Sequence, residues 1–224
     1  MSETSKTILL TGYEPFDRFP YNPSEVIALA LDGLELDGGF VIKGAQLPVD
    51  CVKMPGVLYN LVDQYRPQIV IGLGLAAGDS GIRIERVGHN WSEIIGTPDN
   101  GGHTRSGVPL LPGQPAAYTS TFPATQIVTD LLEAGVPAYT SNHAGGHLCN
   151  EMLFTALHAV NTGAWQPAPG QAAIICGFIH LPATPQLVAQ LIQTDKHSRN
   201  IASMSLELMQ QSVKLTLNSI VRSL

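Results

Sequence analysis

Short apolar runs rich in β-branched residues alternate along this chain with longer amphipathic segments. The runs cover residues 7–11, 40–46, 68–73, 82–90, 138–141 and 172–178. The run at 68–73 is apolar at almost every position, which indicates a strand covered on both faces in the middle of a parallel sheet. The pattern predicts an α/β fold, a single-domain α/β/α sandwich with a twisted, mainly parallel sheet, in which residues 1–224 form one domain.

Amphipathic segments between these runs predict helices on the faces of the sheet. Ser24 is expected to cap a helix that continues to Leu31, and further helices are expected at 52–65, 125–134 and 150–161. Helical periodicity returns at 184–223, where the polar stretch 194–200 interrupts it. Residues 91–116 are rich in Gly, Pro and polar residues and predict long surface loops, while 162–171 predicts a turn-rich connector.

The composition excludes several classes of function. Twelve Lys and Arg are scattered among eighteen acidic residues, giving a net charge of −6, which disfavours nucleic acid because phosphate binding needs clustered basic residues. No apolar run reaches the roughly 18 residues of a membrane helix, so no membrane association is expected. Three cysteines and the lack of a basic-then-apolar leader favour a reducing compartment, and we expect a cytoplasmic protein.

Cys149 follows a glycine-rich loop and opens an apolar helix in the run SNHAGGHLCNEMLF at 141–154. Backbone N–H groups at a helix start favour a thiolate over a thiol and can also hold an oxyanion. Taken alone, a cysteine at such a position is more often a small buried residue. Cys51 and Cys176 lie in apolar surroundings and are expected to be inert core thiols.

A cysteine nucleophile requires a base, and three histidines of the chain are candidates. His180 follows the buried run at 174–179 and is expected in a loop bounded by Pro182, whereas His143 and His147 flank the glycine-rich loop. The chain contains neither Cys-x-x-Cys nor His-Glu-x-x-His, so no metal site is expected. Residues 72–78 lack the GxGxxG spacing of a dinucleotide loop.

Four ordered blocks resemble the type I pyroglutamyl peptidases, also called pyrrolidone-carboxylate peptidases, over nearly the whole chain. They are TGYEPF at 11–16 with NPS at 22–24, IERV at 84–87 with Asn90 and PDN at 98–100, AGGHLCN at 144–150, and GFIHLP at 177–182. The resemblance implies that Cys149 is the nucleophile, His180 its general base and later acid, and Glu85 the carboxylate that orients the imidazole. Read without the resemblance, Glu85 is a solvated residue paired with Arg83 or Arg86.

The implied reaction is hydrolysis of the amide that joins an N-terminal 5-oxoproline to the next residue, through a thioester and without metal or cofactor. The substrates are then peptides with an N-terminal pyroglutamate. Tyr13 and Phe16 are candidates for aromatic walls around the lactam ring, and Leu75 and Leu148 for further substrate contacts. The resemblance also implies a homo-oligomer, a tetramer, for which the apolar stripe of the final helix is one candidate surface; that stripe could equally pack on its own sheet.

Two departures from the family pattern bear on activity. The family's glutamine and arginine around its glycine-rich loop correspond here to Leu75 and Asp79, and no arginine occurs at 94–97 before the Pro-Asp-Asn motif. An anion near the thiolate is expected to raise the pKa of the thiol. Two alternatives therefore stay open: a weak or inactive relative that binds pyroglutamyl peptides, and a phosphorylase-like transferase on the same scaffold.

Overall fold

The computed structural model of the chain describes residues 6–167, 171–194 and 200–224. Its strands are β1 (Lys6–Tyr13), β2 (Glu35–Leu36), β3 (Phe40–Leu47), β4 (Ile69–Leu75), β5 (Ile82–Glu85), β6 (Val87–His89), β7 (Ser92–Ile94), β8 (Arg105–Val108), β9 (Ala117–Thr119), β10 (Ala138–Ser141) and β11 (Ile175–Leu181). Its α-helices are α1 (Pro23–Ala30), α2 (Met54–Tyr65), α3 (Ala124–Glu133), α4 (Leu148–Asn161), α5 (Pro185–Thr194) and α6 (Leu206–Arg222). A short 3-10 helix covers Asp37–Gly39.

Seven strands form the main sheet in the order β10-β5-β11-β4-β1-β3-β2. The pairs β1–β3, β1–β4, β4–β11 and β5–β10 are parallel, and the pairs β5–β11 and β2–β3 are antiparallel. Two small two-stranded sheets, β6–β9 and β7–β8, lie outside it. The predicted mainly parallel α/β sheet is confirmed.

Helices cover both faces of the sheet because side chains alternate along each strand. Ile8 and Leu10 of β1 join a core with α1, α3 and α6, while Leu9 joins the opposite core with α2 and α4. The apolar stripe of α6 packs into the first core through Met209 and Val213 among others. The stripe therefore covers its own sheet. None of the described helices is both long and apolar enough to traverse a bilayer.

Several local predictions are wrong in detail. Asn22, rather than Ser24, caps α1: its Oδ1 accepts the Ser24 N–H at 3.1 Å, because Pro23 occupies the first helical position and has no N–H to offer. The single strand predicted at 82–90 is divided at Arg86 into β5 and β6. The loop predicted at 91–116 contains the short strands β7 and β8, whose few residues give little periodicity. Most of the predicted break at 194–200 and part of the 162–171 connector lie outside the described residues.

The carboxyl ends of β1, β4 and β11 meet at one edge of the sheet, where an open α/β sheet binds its ligands. The strand β5 runs in the opposite direction to β11, so its beginning approaches the same edge, and Arg83 is paired with His180. On the other side of β11, His180 is paired with Gly74. This edge therefore brings β4, β5 and β11 together beneath the start of α4.

Candidate active site

A cleft of about 750 Å³ opens at this edge of the sheet. Its lining includes Cys149 from α4, His180 from β11 and Arg83 from β5, together with the glycine-rich loop before α4. Cys149 is partly exposed, whereas Cys51 and Cys176 are buried. The thiol that the sequence selects is therefore the one that faces the cleft.

The loop before Cys149 depends on its glycines. Gly145 has φ of 85°, a left-handed conformation that residues with a Cβ rarely adopt. A Cβ on Gly146 would stand 2.9 Å from Cβ of Glu93. The chain then extends through His147, whose φ of −98° and ψ of −165° are extended, and α4 begins at Leu148. Cys149 is thus the second residue of the helix, with its thiol at the helix start.

His180 lies within β11, not in a loop after it as the sequence predicts. The strand continues to Leu181 because β4 provides a paired partner up to Leu75. Strand alternation directs His180 and Phe178 to the same face as α4, and their ring centroids are 4.9 Å apart. The side chain of His180 is 4% exposed.

Glu85 holds the ring of His180 through a buried contact. Its Oε1 lies 2.8 Å from Nδ1 of His180, and Glu85 is fully buried. The alternative interpretation of Glu85 as a solvated residue is therefore wrong. Its pairing with Arg83, which that interpretation also predicted, does occur: Nε of Arg83 lies 2.6 Å from Oε1 of Glu85. Arg86 donates instead to Asn142.

Arg83 is a residue of the site that the sequence reasoning missed. Its Nη1 lies 3.0 Å from Oδ2 of Asp79, and its Nη2 lies 3.2 Å from Nδ1 of His180. The spacing of Arg83 and Glu85, two residues apart on a strand, places both side chains on one face, and this was the available signal. Asp79 pairs with this cation.

The two contacts at Nδ1 of His180 cannot both be hydrogen bonds, because Arg83 has only donors. The contact to Glu85 is shorter and charge-assisted, so Nδ1–H donates to Glu85 and Arg83 is a neighbouring cation. The neutral imidazole then carries its lone pair on Nε2. This is the tautomer that a general base requires.

Gly74 lies next to both Cys149 and His180. It is the ladder partner of His180 on β4, and a Cβ built on it would lie 2.8 Å from Sγ of Cys149. The sulfur therefore rests against the strand position beside His180. Among the described residues no hydrogen bond joins Cys149 to His180, and such contacts commonly tighten only when substrate is bound.

The electrostatics leave both reacting groups neutral at rest. The pKa of the Cys149 thiol is raised to about 12, mainly by burial and also by the Glu85 carboxylate, while Arg83 and the Cys149 backbone N–H oppose the shift. Burial lowers the pKa of His180 despite its contact with Glu85, and Arg83 lowers it further. Burial alone would raise the pKa of Glu85, but hydrogen bonds from His180 and Ser141 and the charge of Arg83 hold it below the usual range.

These shifts correct two expectations. The start of α4 does not leave Cys149 as a resting thiolate, because burial outweighs the helix N–H groups. The anion that raises the pKa of this thiol is Glu85 rather than Asp79, whose charge is paired with Arg83. The raised pKa of Cys149 and the lowered pKa of His180 both favour a neutral thiol beside a neutral imidazole.

The four expected substrate contacts divide into two groups. Phe16 and Leu75 line the cleft. Tyr13 and Leu148 are buried, with 3% and 1% exposure, and the Tyr13 hydroxyl donates to the Leu148 carbonyl at 2.7 Å. The Tyr13 hydroxyl thus holds the backbone of Leu148, the residue before Cys149. Direct contact of Tyr13 or Leu148 with a substrate stays a prediction.

The rival histidines make other contacts. His147 lines the cleft, but its Nε2 donates to the Thr97 carbonyl at 3.2 Å, and burial lowers its pKa. His143 is exposed and accepts from the Gly145 N–H through Nδ1 at 3.0 Å. Each of these ring nitrogens is engaged with the backbone, whereas His180 is held by a carboxylate.

One group of metal-ligating side chains lies outside the cleft. Cys51, Asp99 and His103 bring their ligand atoms within 4.8 Å of one another. No motif in the sequence marks this group, because its members come from two loops and Cys51 and Asp99 are 48 residues apart.

Comparisons with known proteins agree with this architecture. The pyroglutamyl peptidase family model matches residues 6–223. A pyrrolidone-carboxylate peptidase of Deinococcus radiodurans is 40% identical over 190 residues, which cover 85% of this chain and 84% of the relative. That of Pyrococcus furiosus is 37% identical over 210 residues, covering 94% and 95%. A solved mutant pyrrolidone carboxyl peptidase from P. furiosus superposes with a TM-score of 0.88 at 36% identity, covering 97% of this chain and 99% of that one.

Proposed function

Because the chain belongs to the pyroglutamyl peptidase family, a family of cysteine peptidases, we propose that residues 1–224 form a single peptidase domain that removes N-terminal pyroglutamate through Cys149, His180 and Glu85. The observation that carries this assignment is the buried contact of His180 Nδ1 with Glu85 Oε1 at 2.8 Å, beside a cleft that Cys149 lines. No metal or cofactor takes part in the proposed chemistry.

The reaction begins with proton transfer from the Cys149 thiol to Nε2 of His180 as the sulfur attacks the pyroglutamyl carbonyl carbon. The tetrahedral intermediate collapses to a thioester, and the departing amine takes the proton from His180. His180 then removes a proton from water as the water oxygen attacks the thioester carbon. Collapse of the second intermediate releases pyroglutamate, and His180 returns its proton to the sulfur.

Charge in these steps is balanced by groups around the imidazole. The Glu85 carboxylate stabilises the imidazolium that forms on proton transfer and keeps the ring oriented. Arg83 maintains the ionised state of Glu85 and offers positive charge at the cleft. The backbone N–H of Cys149 lies against its own sulfur at the helix start, where it is suited to receive the developing oxyanion.

Specificity is proposed to come from a pocket that accepts an uncharged lactam and disfavours a free ammonium. Phe16 and Leu75 provide apolar surface in the cleft, and backbone groups near Leu75 are suited to pair with the lactam N–H and C=O, so that no polar group is buried unpaired. Tyr13 and Leu148 would form or support the wall next to Cys149. Substitution of the family's glutamine by Leu75 leaves such backbone pairing available.

Other assignments rest on the family alone. We propose a homo-oligomer, a tetramer, located in the cytoplasm and acting on peptides with N-terminal pyroglutamate. The stripe of α6 does not provide the interface, since it is buried against its own sheet. The inactive binder and the phosphorylase-like transferase gain no support from the comparisons, whose named relatives are peptidases.

The test compares release of a fluorophore from a pyroglutamyl amide and from the matching prolyl amide, whose ring carries an ammonium. Turnover of the pyroglutamyl amide alone, abolished by Cys149→Ser and retained by Cys176→Ser, is expected. Cys176 is the matched control because it is a buried cysteine on β11. Intact folded protein that cleaves neither amide would favour the inactive binder.

A further inference from the structure

Cys51, Asp99 and His103 form a compact group of sulfur, oxygen and nitrogen ligands away from Cys149. Cys51 lies between β3 and α2, and Asp99 and His103 lie between β7 and β8. All their ligand atoms are within 4.8 Å of one another. A zinc-class ion lies about 2.0–2.3 Å from nitrogen, oxygen and sulfur ligands, so the group must contract around the ion for all three to enter its coordination sphere.

The group is held together by hydrogen bonds to the Asp99 carboxylate. Asp99 is 4% exposed, and its carboxylate accepts the backbone N–H groups of Cys51 at 2.8 Å and His103 at 2.7 Å. Nδ1 of His103 lies 3.0 Å from Oδ1 of Asp99. A Cβ on Gly101 would stand 2.5 Å from the His103 ring, so the absence of a side chain there permits the ring position. Besides these N–H groups, the carboxylate is hydrogen-bonded to the Cys51 thiol and to the His103 ring, so the protons of those two groups stand where a cation would bind.

We propose that Sγ of Cys51, a carboxylate oxygen of Asp99 and Nδ1 of His103 bind one divalent, thiol-preferring cation of the zinc class, with water as the fourth ligand. Binding requires the thiolate, so the Cys51 proton passes to solvent, and Nδ1 of His103 presents its lone pair to the metal rather than a proton to Asp99. Arg105 approaches the Cys51 carbonyl at 3.5 Å, and its charge is paired with Glu151 at 3.1 Å. A thiolate and a carboxylate therefore neutralise the divalent charge.

Occupancy of this site would fix one wall of the cleft. Thr97, which lines the cleft and accepts from His147, lies two residues before Asp99. A metal that joins Asp99 and His103 to Cys51 fastens the 97–103 segment to the start of α2. The site is structural rather than catalytic, because it lacks every residue proposed for the chemistry.

The test uses the full chain with Cys149→Ser, which removes the cleft thiol as a competing ligand and makes the result independent of peptidase activity. Titration with Co²⁺ is expected to give one equivalent of a thiolate-to-metal absorption band with the intense visible bands of four-coordination, and Zn²⁺ is expected to abolish them. Zn²⁺ is also expected to raise the Tm, as a ligand that binds the folded state does.

Cys51→Ala and His103→Gln in this background are each expected to remove the thiolate band or weaken Zn²⁺ binding by at least about tenfold, while Cys176→Ala leaves both unchanged. His103 has a side chain 42% exposed, so His103→Gln tests the ligand role even if Cys51→Ala fails to fold. The proposal is overturned if the parent shows no thiolate band, or if His103→Gln binds Zn²⁺ as tightly as the parent.

Discussion

Nδ1 of His180 lies 2.8 Å from Oε1 of Glu85, and the two side chains are almost entirely removed from water. In the proposed mechanism, a buried carboxylate in this position fixes the tautomer and balances the imidazolium that forms on proton transfer. The amide of Glu85→Gln keeps the shape but loses the charge, so kcat/KM for a pyroglutamyl amide is expected to fall by roughly 10²–10⁴-fold. The kcat/KM of His180→Ala is expected to fall as far. The kcat/KM of the double variant should be no lower than that of the worse single variant. Additive losses would show that the two residues do not act as a unit.

Activity is expected to extend to lower pH than an ordinary histidine allows. The base must be neutral, and burial lowers the pKa of His180 from its usual value of about 6.5. The acid limb of kcat/KM against pH should therefore have its midpoint below about 6.5. Alkylation of Cys149 by iodoacetamide in His180→Ala should keep rising through pH 9, because the pKa of the thiol is raised to about 12. A plateau near neutral pH would reveal a resting thiolate and contradict the neutral pair.

Stability should fall on acidification for the same physical reason. The folded-state pKa values of His180 and Glu85 are both lowered, so the unfolded chain binds more protons than the folded chain as pH falls. The contribution of His180 is lost below the unfolded pKa of about 6.5, and that of Glu85 as pH falls from about 4.5 through its folded pKa. Urea unfolding between about pH 8 and 3 measures the free energy of unfolding. The fall on acidification should be smaller in Glu85→Gln,His180→Ala than in the parent, with a remainder from His147, whose pKa is also lowered; an equal fall in the two proteins would show that the pair is not its source.

Arg83 is expected to affect both the midpoint of the acid limb of kcat/KM and the stability of the fold. Its charge lowers the pKa values of both His180 and Cys149, so Arg83→Met should move the acid midpoint of kcat/KM to higher pH and reduce kcat/KM by about tenfold or more. The variant also leaves Glu85 and Asp79 without their cation, and the free energy of unfolding should decrease. Arg222→Met, which removes an exposed partner of Asp130, is the matched control. A purely structural Arg83 would lower stability without moving the midpoint.

Gly74 should tolerate no side chain. A Cβ there would lie 2.8 Å from both Sγ of Cys149 and Cζ of Phe178, so Gly74→Ala must displace the thiol. A displacement of about 1 Å can cost roughly 10²-fold in rate, and a loss of at least that size is expected. Gly56→Ala is the control, since its Cβ meets nothing within 4 Å in α2; it should keep full activity and gain up to about 1 kcal/mol of stability. Equal activity in the two variants would disprove the close approach of strand and sulfur.

The sequence predicts the main sheet well because its strands carry strong local patterns. The run at 138–141 matches β10 without error, and those at 40–46 and 68–73 differ from β3 and β4 by one or two residues. The short strands β7 and β8 are missed because three or four residues cannot establish a period. His180 is predicted outside its strand because Pro182 marks a boundary, but β4 extends the pairing up to Leu181.

The residues of the site that belong to recognisable motifs can be predicted from the sequence. The residues whose roles depend on long-range contacts cannot. The choice of Cys149, His180 and Glu85 depends on the resemblance and is consistent with the contact of His180 with Glu85. The role of Arg83 depends on a strand partner and on Asp79, and the group at Cys51 depends on two loops meeting. The spacing of Arg83 and Glu85 shows only that they share a face of the strand; the partners across the sheet and between the loops leave no pattern in the chain, so only the folded structure reveals them.

The most direct measurement of the central claim is mass spectrometry of protein quenched in acid during turnover of a pyroglutamyl ester, followed by proteolysis. One pyroglutamyl group is expected on the peptide that carries Cys149, since the proposed mechanism passes through a thioester on that sulfur. The adduct should be released by neutral hydroxylamine and should be absent from Cys149→Ser. Turnover with the acyl group on Cys51 or Cys176 would contradict the account.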